Sequence, residues 1–281
     1  MSVLEAAVPI VAFLLMVAVG LDVTRDELKR IVGRSSLMGF ASLMQAITLP
    51  LVALWLIQWA PSTRVAEYLL LLAACPGGGM SNVYVYLARA NTALSVTLTA
   101  TSCMLAVLTM PTVFAAYGYL FDQPLAFMLP LPTLAAQLFV MTVVPVVLGV
   151  WLRVRHPQFE RRHGRTLRAL SAAGVAAIVV MGLIQSAGMF NADIARGGVL
   201  ATVLVIVSMA IGYVSGAALR TDGSDRFALL VEFAVRNLAI AMVVEVSLVG
   251  RPDFIAFGAL ALLAQALLLG AAVGWRLRGN S

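Results

Sequence analysis

The stretch Cys75-Pro76-Gly77-Gly78-Gly79-Met80-Ser81-Asn82 lies inside an apolar run, 66–88, that is long enough to cross a bilayer. It cannot be one regular helix. In a helix interior a glycine costs about 1 kcal/mol and a proline about 3 kcal/mol relative to alanine, and here the proline and three glycines are consecutive. The helix is expected to stop at this run and restart at Met80 or Ser81, where Ser81 and Asn82 are suited to cap the new N-terminus.

The rest of the chain supports a membrane setting. Of its 281 residues, 62% are hydrophobic and 11% charged, against roughly 45–50% and about 25% in ordinary globular domains. Segments approaching the roughly 20 apolar residues that a span needs fall at 4–23, 36–58, 66–88, 93–116, 132–152, 168–188, 198–219, 227–249 and 254–275. The first is preceded by Glu5 rather than by basic residues, and Arg25 follows it without a small-residue cleavage pattern, so it reads as a retained helix and not a signal peptide.

Basic residues set the orientation. Of the 19 Lys and Arg, Arg236 lies within a span, Arg64, Arg196 and Arg251 fall on one side, and all the others fall on the opposite side. That imbalance places the N-terminus outside and the C-terminus in the cytoplasm of a multi-pass protein of the cytoplasmic membrane. It also explains the basic net charge without a nucleic-acid partner. The loop from Arg153 to Arg168 reads most simply as part of this orientation signal, with anionic lipid as a secondary partner. Cys75 and Cys103 lie in apolar runs without metal-ligand spacing and read as packed thiols. His156 and His163 belong to the arginine-rich loop. No nucleophile with a base falls at membrane depth, so no enzyme is expected.

The eighth segment is the second unusual one. It contains Glu232, Arg236 and Asn237 in an otherwise apolar stretch. A charged side chain at a helix centre costs about 2.5–3.5 kcal/mol on insertion scales, so these groups should face protein or water. The third and eighth segments run in opposite directions, and interrupted helices at related places in two oppositely oriented halves suggest an inverted-repeat transporter. The plainer reading is a kinked helix packed against glycine-tolerant neighbours.

The run from Cys75 to Val83, continued by Tyr86-Leu87-Ala88-Arg89-Ala90-Asn91-Thr92-Ala93-Leu94-Ser95-Val96-Thr97-Leu98-Thr99, resembles the signature of the bile acid:sodium symporter family. The likeness consists of a Cys-Pro-Gly-Gly crossing motif, Ser-Asn at the restart and Leu-Ser-Val-x-x-Thr on the next helix. Glu232 with Asn237, and Gln45 with Pro50, resemble further family motifs. The segments correspond to the nine-helix form of the animal members; bacterial members begin with an extra helix. The resemblance implies an all-α membrane fold in one transmembrane unit spanning 1–281. Its core would comprise 36–58, 66–88, 93–116, 198–219, 227–249 and 254–275, with two crossing discontinuous helices. Its panel would comprise 4–23, 132–152 and 168–188, with substrate bound between core and panel and alternating access between them.

Carried over residue by residue, the resemblance implies a first sodium site at Ser81, Asn82, Ser95, Thr99 and Glu232. Every position is filled by an oxygen donor, and Ser95 and Thr99, four apart, share one helix face. Interhelical hydrogen bonding is the plainer role for those two hydroxyls. The family's second sodium site would use Gln45, Glu232, backbone near Phe233 and Val235, and a Gln where this chain has Arg236. Arginine has no lone pair to offer and stays protonated, so the second site is expected to be vestigial and one Na+ to remain. Two roles are open to Arg236: pairing with Glu232, or holding an anionic substrate with its planar fork. Substrate contacts are expected at Gly79, Met80, Arg236 and Asn237, near half-helix N-termini that favour an organic anion, bile-acid-like or another carboxylate. The alternatives are a sodium-independent carrier with Arg236 as its fixed cation, and a non-transporting receptor for a small anion.

Overall fold

The computed structural model describes residues 3–26, 29, 33, 35–121, 131–185, 191–251 and 253–279. Arg30 and Arg34 of the orientation count lie outside them. The described residues form helices and connections, with no named strand among them. We label the helices α1 Val3–Asp22, α2 Ser35–Leu56, α3 Thr63–Ala74, α4 Met80–Leu87, α5 Thr92–Phe121, α6 Leu131–Leu138, α7 Val144–Arg155, α8 Arg165–Gln185, α9 Ala192–Ala218, α10 Gly223–Ala234, α11 Leu238–Met242 and α12 Phe254–Gly279.

Among the described residues, six stretches are continuous, long and apolar enough to cross a membrane: Ser36–Trp59, Thr92–Phe121, Pro132–Arg155, Pro157–Met181, Ala192–Ala218 and Phe254–Arg278. Three of the expected segments are not among them. The first is represented by the shorter apolar stretch Ala7–Asp22. Segments 66–88 and 227–249 are interrupted, as α3 and α4 and as α10 and α11. Large apolar side chains on the outside, among them Leu108, Ile184, Leu267 and Trp275, give the exterior that a multi-pass membrane protein presents to lipid.

The two interruptions have different causes. Cys75 leaves the helical region at ψ 147°, as the residue before a proline tends to do. No proline or glycine explains the second break at Val235, Arg236 and Asn237. There the extended backbone is held by the first break: Gly77 and Arg236 form an antiparallel bridge, Gly78 N–H donates to the Val235 carbonyl at 3.2 Å, and Asn237 N–H donates to the Pro76 carbonyl at 2.9 Å. The approach needs glycine, because a Cβ on Gly78 would come within 3.1 Å of the Arg236 carbonyl oxygen.

Two packing groups surround this crossing. α1 packs along α7 and α8, closely enough that a Cβ on Gly20 would overlap the Val146 carbonyl. α9 packs on α10, α12 and α2, while α2 also meets α3 and α5. The basic segment expected as a loop is largely helical. Helix resumes at Pro157 after His156 and passes through a π-turn, Glu160–Gly164, into α8. Charge pairing accounts for this order: Glu160 pairs with Arg153 and Arg168, and Arg168 also reaches Asp22 at 2.7 Å, tying α1, α7 and α8 together at one end.

A candidate ion site at the helix crossing

Glu232 ends its side chain in the middle of the crossing with no solvent exposure. Its Oε1 accepts from Ser81, from Ser95 at 2.5 Å and from Thr99 at 2.9 Å. Ser95 Oγ is also 2.8 Å from Asn82 Oδ1, and Ser81 and Thr99 hydroxyls are 3.2 Å apart. The five residues named for the first site are therefore in one cluster, all buried. Ser81 and Asn82 occupy the first turn of α4, Ser95 and Thr99 one face of α5, and Glu232 the last turn of α10. Ser81 and Asn82 do not cap α4, as the sequence suggested. The cap residue is Gly79, without a side-chain bond, and the two polar side chains turn to the carboxylate and Ser95 instead.

The cluster is rich in oxygen and poor in protons. Three hydroxyls supply three hydrogens, and Ser95 lies within reach of both Glu232 and Asn82 while able to donate to only one of them. Glu232 Oε2 and Asn82 Nδ2 have no hydrogen-bond partner among the described residues. A hard cation among these groups would accept lone pairs from hydroxyls that now donate protons, as oxygen-ligated ions do. One carboxylate matches a single positive charge. No group of three or more His, Cys, Asp or Glu able to hold a polyvalent metal occurs among the described residues.

Arg236 does not pair with the Glu232 carboxylate, the first of the two roles open to it, but bonds backbone. Its Nη1 donates to the Cys75 carbonyl at 3.1 Å and its Nη2 to the Glu232 carbonyl at 2.5 Å. Those carbonyls terminate α3 and α10, where the helix dipole favours a cation. The contact with Glu232 is thus to backbone, and no ion pair joins the two side chains among those found. The Val235 carbonyl, a second-site candidate, is occupied by Gly78, and Phe233 is fully buried. Gln45 is buried on α2 and lines the same small cavity as Arg236.

The residues expected at the substrate divide between two environments. Asn237 is buried, caps α11 by accepting from Ile240 N–H at 3.3 Å, and donates to Met16 Sδ at 3.5 Å. Gly79 is half-buried beside Val19, and Met80 is 48% exposed. Cys75 and Cys103 are free buried thiols, in keeping with the packed role.

Sequence reasoning passed over three polar groups. Ser102 accepts from Gly77 N–H at 3.0 Å and steadies the first break. Glu67 on α3 pairs with Arg251. Glu245, in a π-turn at Val243–Leu248, is buried with no hydrogen-bond partner for either carboxylate oxygen among the described residues. An acidic residue within an apolar segment was the available signal for Glu245.

Comparison with known proteins points the same way. Residues 9–193 match the model of the sodium bile acid symporter family. A protein of Bacillus subtilis named as an uncharacterized sodium-dependent transporter, YocS, is 27% identical over 80% of this chain and 68% of its own length. The Arabidopsis thaliana protein named as probable sodium/metabolite cotransporter BASS1, chloroplastic, is 26% identical over 84% of this chain and 58% of its length. Human sodium/bile acid cotransporter 4 is 29% identical over 64% of this chain and 41% of its length. The chain thus spans between about two fifths and two thirds of these relatives.

Proposed function

We propose, from the premise that the chain belongs to the sodium bile acid symporter family, that it is a secondary active transporter moving a small organic anion with one sodium ion. The family and its relatives are transporters, not enzymes, and their names are those of sodium-dependent proteins. The observation that supports a sodium site in this chain is the convergence of Ser81, Ser95 and Thr99 on one oxygen of the fully buried Glu232, with Asn82 in contact.

The proposed architecture has nine spans, counting each broken helix as one, in two inverted repeats. The antiparallel crossing of the two breaks supports the repeat. The packing of α1 on α7 and α8, apart from the group around α9 and α2, supports a panel of 4–23, 132–152 and 168–188 beside a core of the other spans. Substrate would bind between them, near Gly79, Met80 and Asn237, where Val19 and Met16 of α1 meet the crossing. Alternating access is movement of one group against the other. The N-terminus faces outside and the C-terminus the cytoplasm.

Arg236 is the ground for a single ion. It brings a fixed charge to the carbonyl ends where a second sodium would gain its ligands. For a tenfold sodium gradient and 100 mV, one sodium with a monoanion has about 1.4 kcal/mol available and moves no net charge. Two sodium ions with a monoanion would have roughly 5 kcal/mol, because each net charge adds about 2.3 kcal/mol.

The test needs no substrate. Thermal stability of the purified protein is measured against NaCl at constant ionic strength with KCl. A sodium-specific stabilisation of about 2.7 kcal/mol is expected at a hundredfold excess over Kd, and it should disappear in Glu232→Gln and Asn82→Ala. Equal responses to sodium and potassium would refute the sodium site and leave Arg236 as the fixed cation of a sodium-independent carrier.

A further inference from the structure

Beside Arg236 the core holds a small, partly open pocket with space of about 20 Å³, lined by Ser42, Gln45, Pro50, Cys75, Ser102 and Arg236 among others. That is space for one small species, since a water needs at least about 10–15 Å³. Its polar lining is buried and incompletely bonded. Ser42 Oγ, both amide atoms of Gln45 and Arg236 Nε find no hydrogen-bond partner among the described residues, and each of these residues is at least nine-tenths buried. Three of these four atoms, Ser42 Oγ, Gln45 Nε2 and Arg236 Nε, can donate, and buried donors left unbonded are a collective cost.

We infer that this cavity is a binding site for a small inorganic monovalent anion of the size of chloride, formed by Arg236, Gln45 and Ser42. Arg236 Nε–H, the Gln45 amide N–H and the Ser42 hydroxyl are donors, and the guanidinium supplies the charge. That charge disfavours a cation, and the small space suits a small anion. Its occupancy is linked to the sodium site. Without ions the crossing holds Glu232 and Arg236, and its charge is balanced. Sodium alone leaves one buried positive charge in excess, and an anion at Arg236 cancels it. The two ions therefore bind with positive coupling, and that coupling is reciprocal. This linkage rests on the proposed sodium reading, whereas the cavity and its donors do not.

The experiment titrates sodium into the purified protein by calorimetry, with chloride or gluconate as the anion at equal ionic strength. Chloride should tighten sodium binding by at least about fivefold, the lower range of common couplings between sites. Bromide and nitrate should substitute for chloride. The chloride effect should vanish in Arg236→Gln and weaken in Gln45→Leu and Ser42→Ala, the last being the mildest change should the others fail to fold. Equal sodium affinity in chloride and gluconate overturns the anion site and leaves the sodium site standing. Absence of sodium binding in every anion removes the sodium reading; chloride binding detected directly in KCl, and lost in Ser42→Ala or Gln45→Leu, would then still support the cavity as an anion site, and its absence would overturn it.

Discussion

On the proposed one-sodium reading, Arg236→Gln should create a protein that binds two sodium ions. The guanidinium now bonds the Cys75 and Glu232 carbonyls at the ends of α3 and α10. The substitution removes the charge, frees both carbonyls and places an amide oxygen near Gln45, whose own Oε1 has no partner. Hydrogen bonds from a charged group contribute about 1.5–3 kcal/mol each, so without sodium the variant should be less stable by about 3 kcal/mol. The diagnostic quantity is the slope, which this loss leaves unchanged. Each ion bound only by the folded state adds about 1.4 kcal/mol for every tenfold rise in free sodium above its Kd. The wild type should gain about 1.4 kcal/mol per decade and the variant about 2.8 kcal/mol per decade, so that the variant recovers its deficit within roughly two decades. Calorimetric unfolding over an NaCl series, at fixed ionic strength and fixed chloride, reads both slopes, and isothermal titration counts the ions. A variant slope that stays at one ion would refute the assignment of Arg236 to the place of a second sodium. A wild-type slope of two ions would refute it as well.

Three further outcomes follow from the geometry. Gly78→Ala forces a methyl to within 3.1 Å of the Arg236 carbonyl oxygen and 3.2 Å of Val235 Cγ1; overpacking of this kind costs about 1–3 kcal/mol, and the thermal midpoint should fall, while an unchanged midpoint would mean that the two breaks are not tightly paired. Arg251→Met strips Glu67, whose side chain is only 4% exposed, of the guanidinium paired with it; a loss of about 1–3 kcal/mol is expected in thermal unfolding, and Glu67→Gln in the same chain should restore part of it. A single cysteine introduced at Ser281, in a Cys75→Ala, Cys103→Ala background, should react with a membrane-impermeant maleimide only from the cytoplasmic face; labelling of intact cells from outside would reverse the orientation drawn from the basic residues.

The parts of the fold that the sequence made legible are those dictated by local chemistry. Pro76 and the three glycines cannot continue a helix, and α3 stops at Ala74 and α4 starts at Met80. Long apolar runs became long helices for the same reason. The second break was flagged only through its charges. Its extended backbone depends on hydrogen bonds to residues about 160 positions away in the chain, between Gly78 and Val235 and between Pro76 and Asn237, and no local pattern encodes that. The helical passage through Glu160–Gly164 was hidden in the same way, because ion pairs to Arg153 and Arg168 order a stretch whose composition reads as a loop.

The candidate site divides along the same line. Motifs shared with the family gave the five oxygen donors, carried over residue by residue, and each position is filled by a competent ligand. They also gave Arg236 as a departure that a cation site cannot tolerate. What they could not give is the direction in which its guanidinium points. Near an acidic side chain four residues earlier, pairing with the carboxylate is the natural expectation. At the crossing, however, two helix C-termini present unsatisfied carbonyls to the same point, and the guanidinium binds these. Glu232 is thereby left with hydroxyl partners on one oxygen and none on the other. On the proposed one-sodium reading, the departure that takes the place of a second cation also keeps the carboxylate available for the first, because a guanidinium paired directly with Glu232 would compete with sodium for its only negative charge.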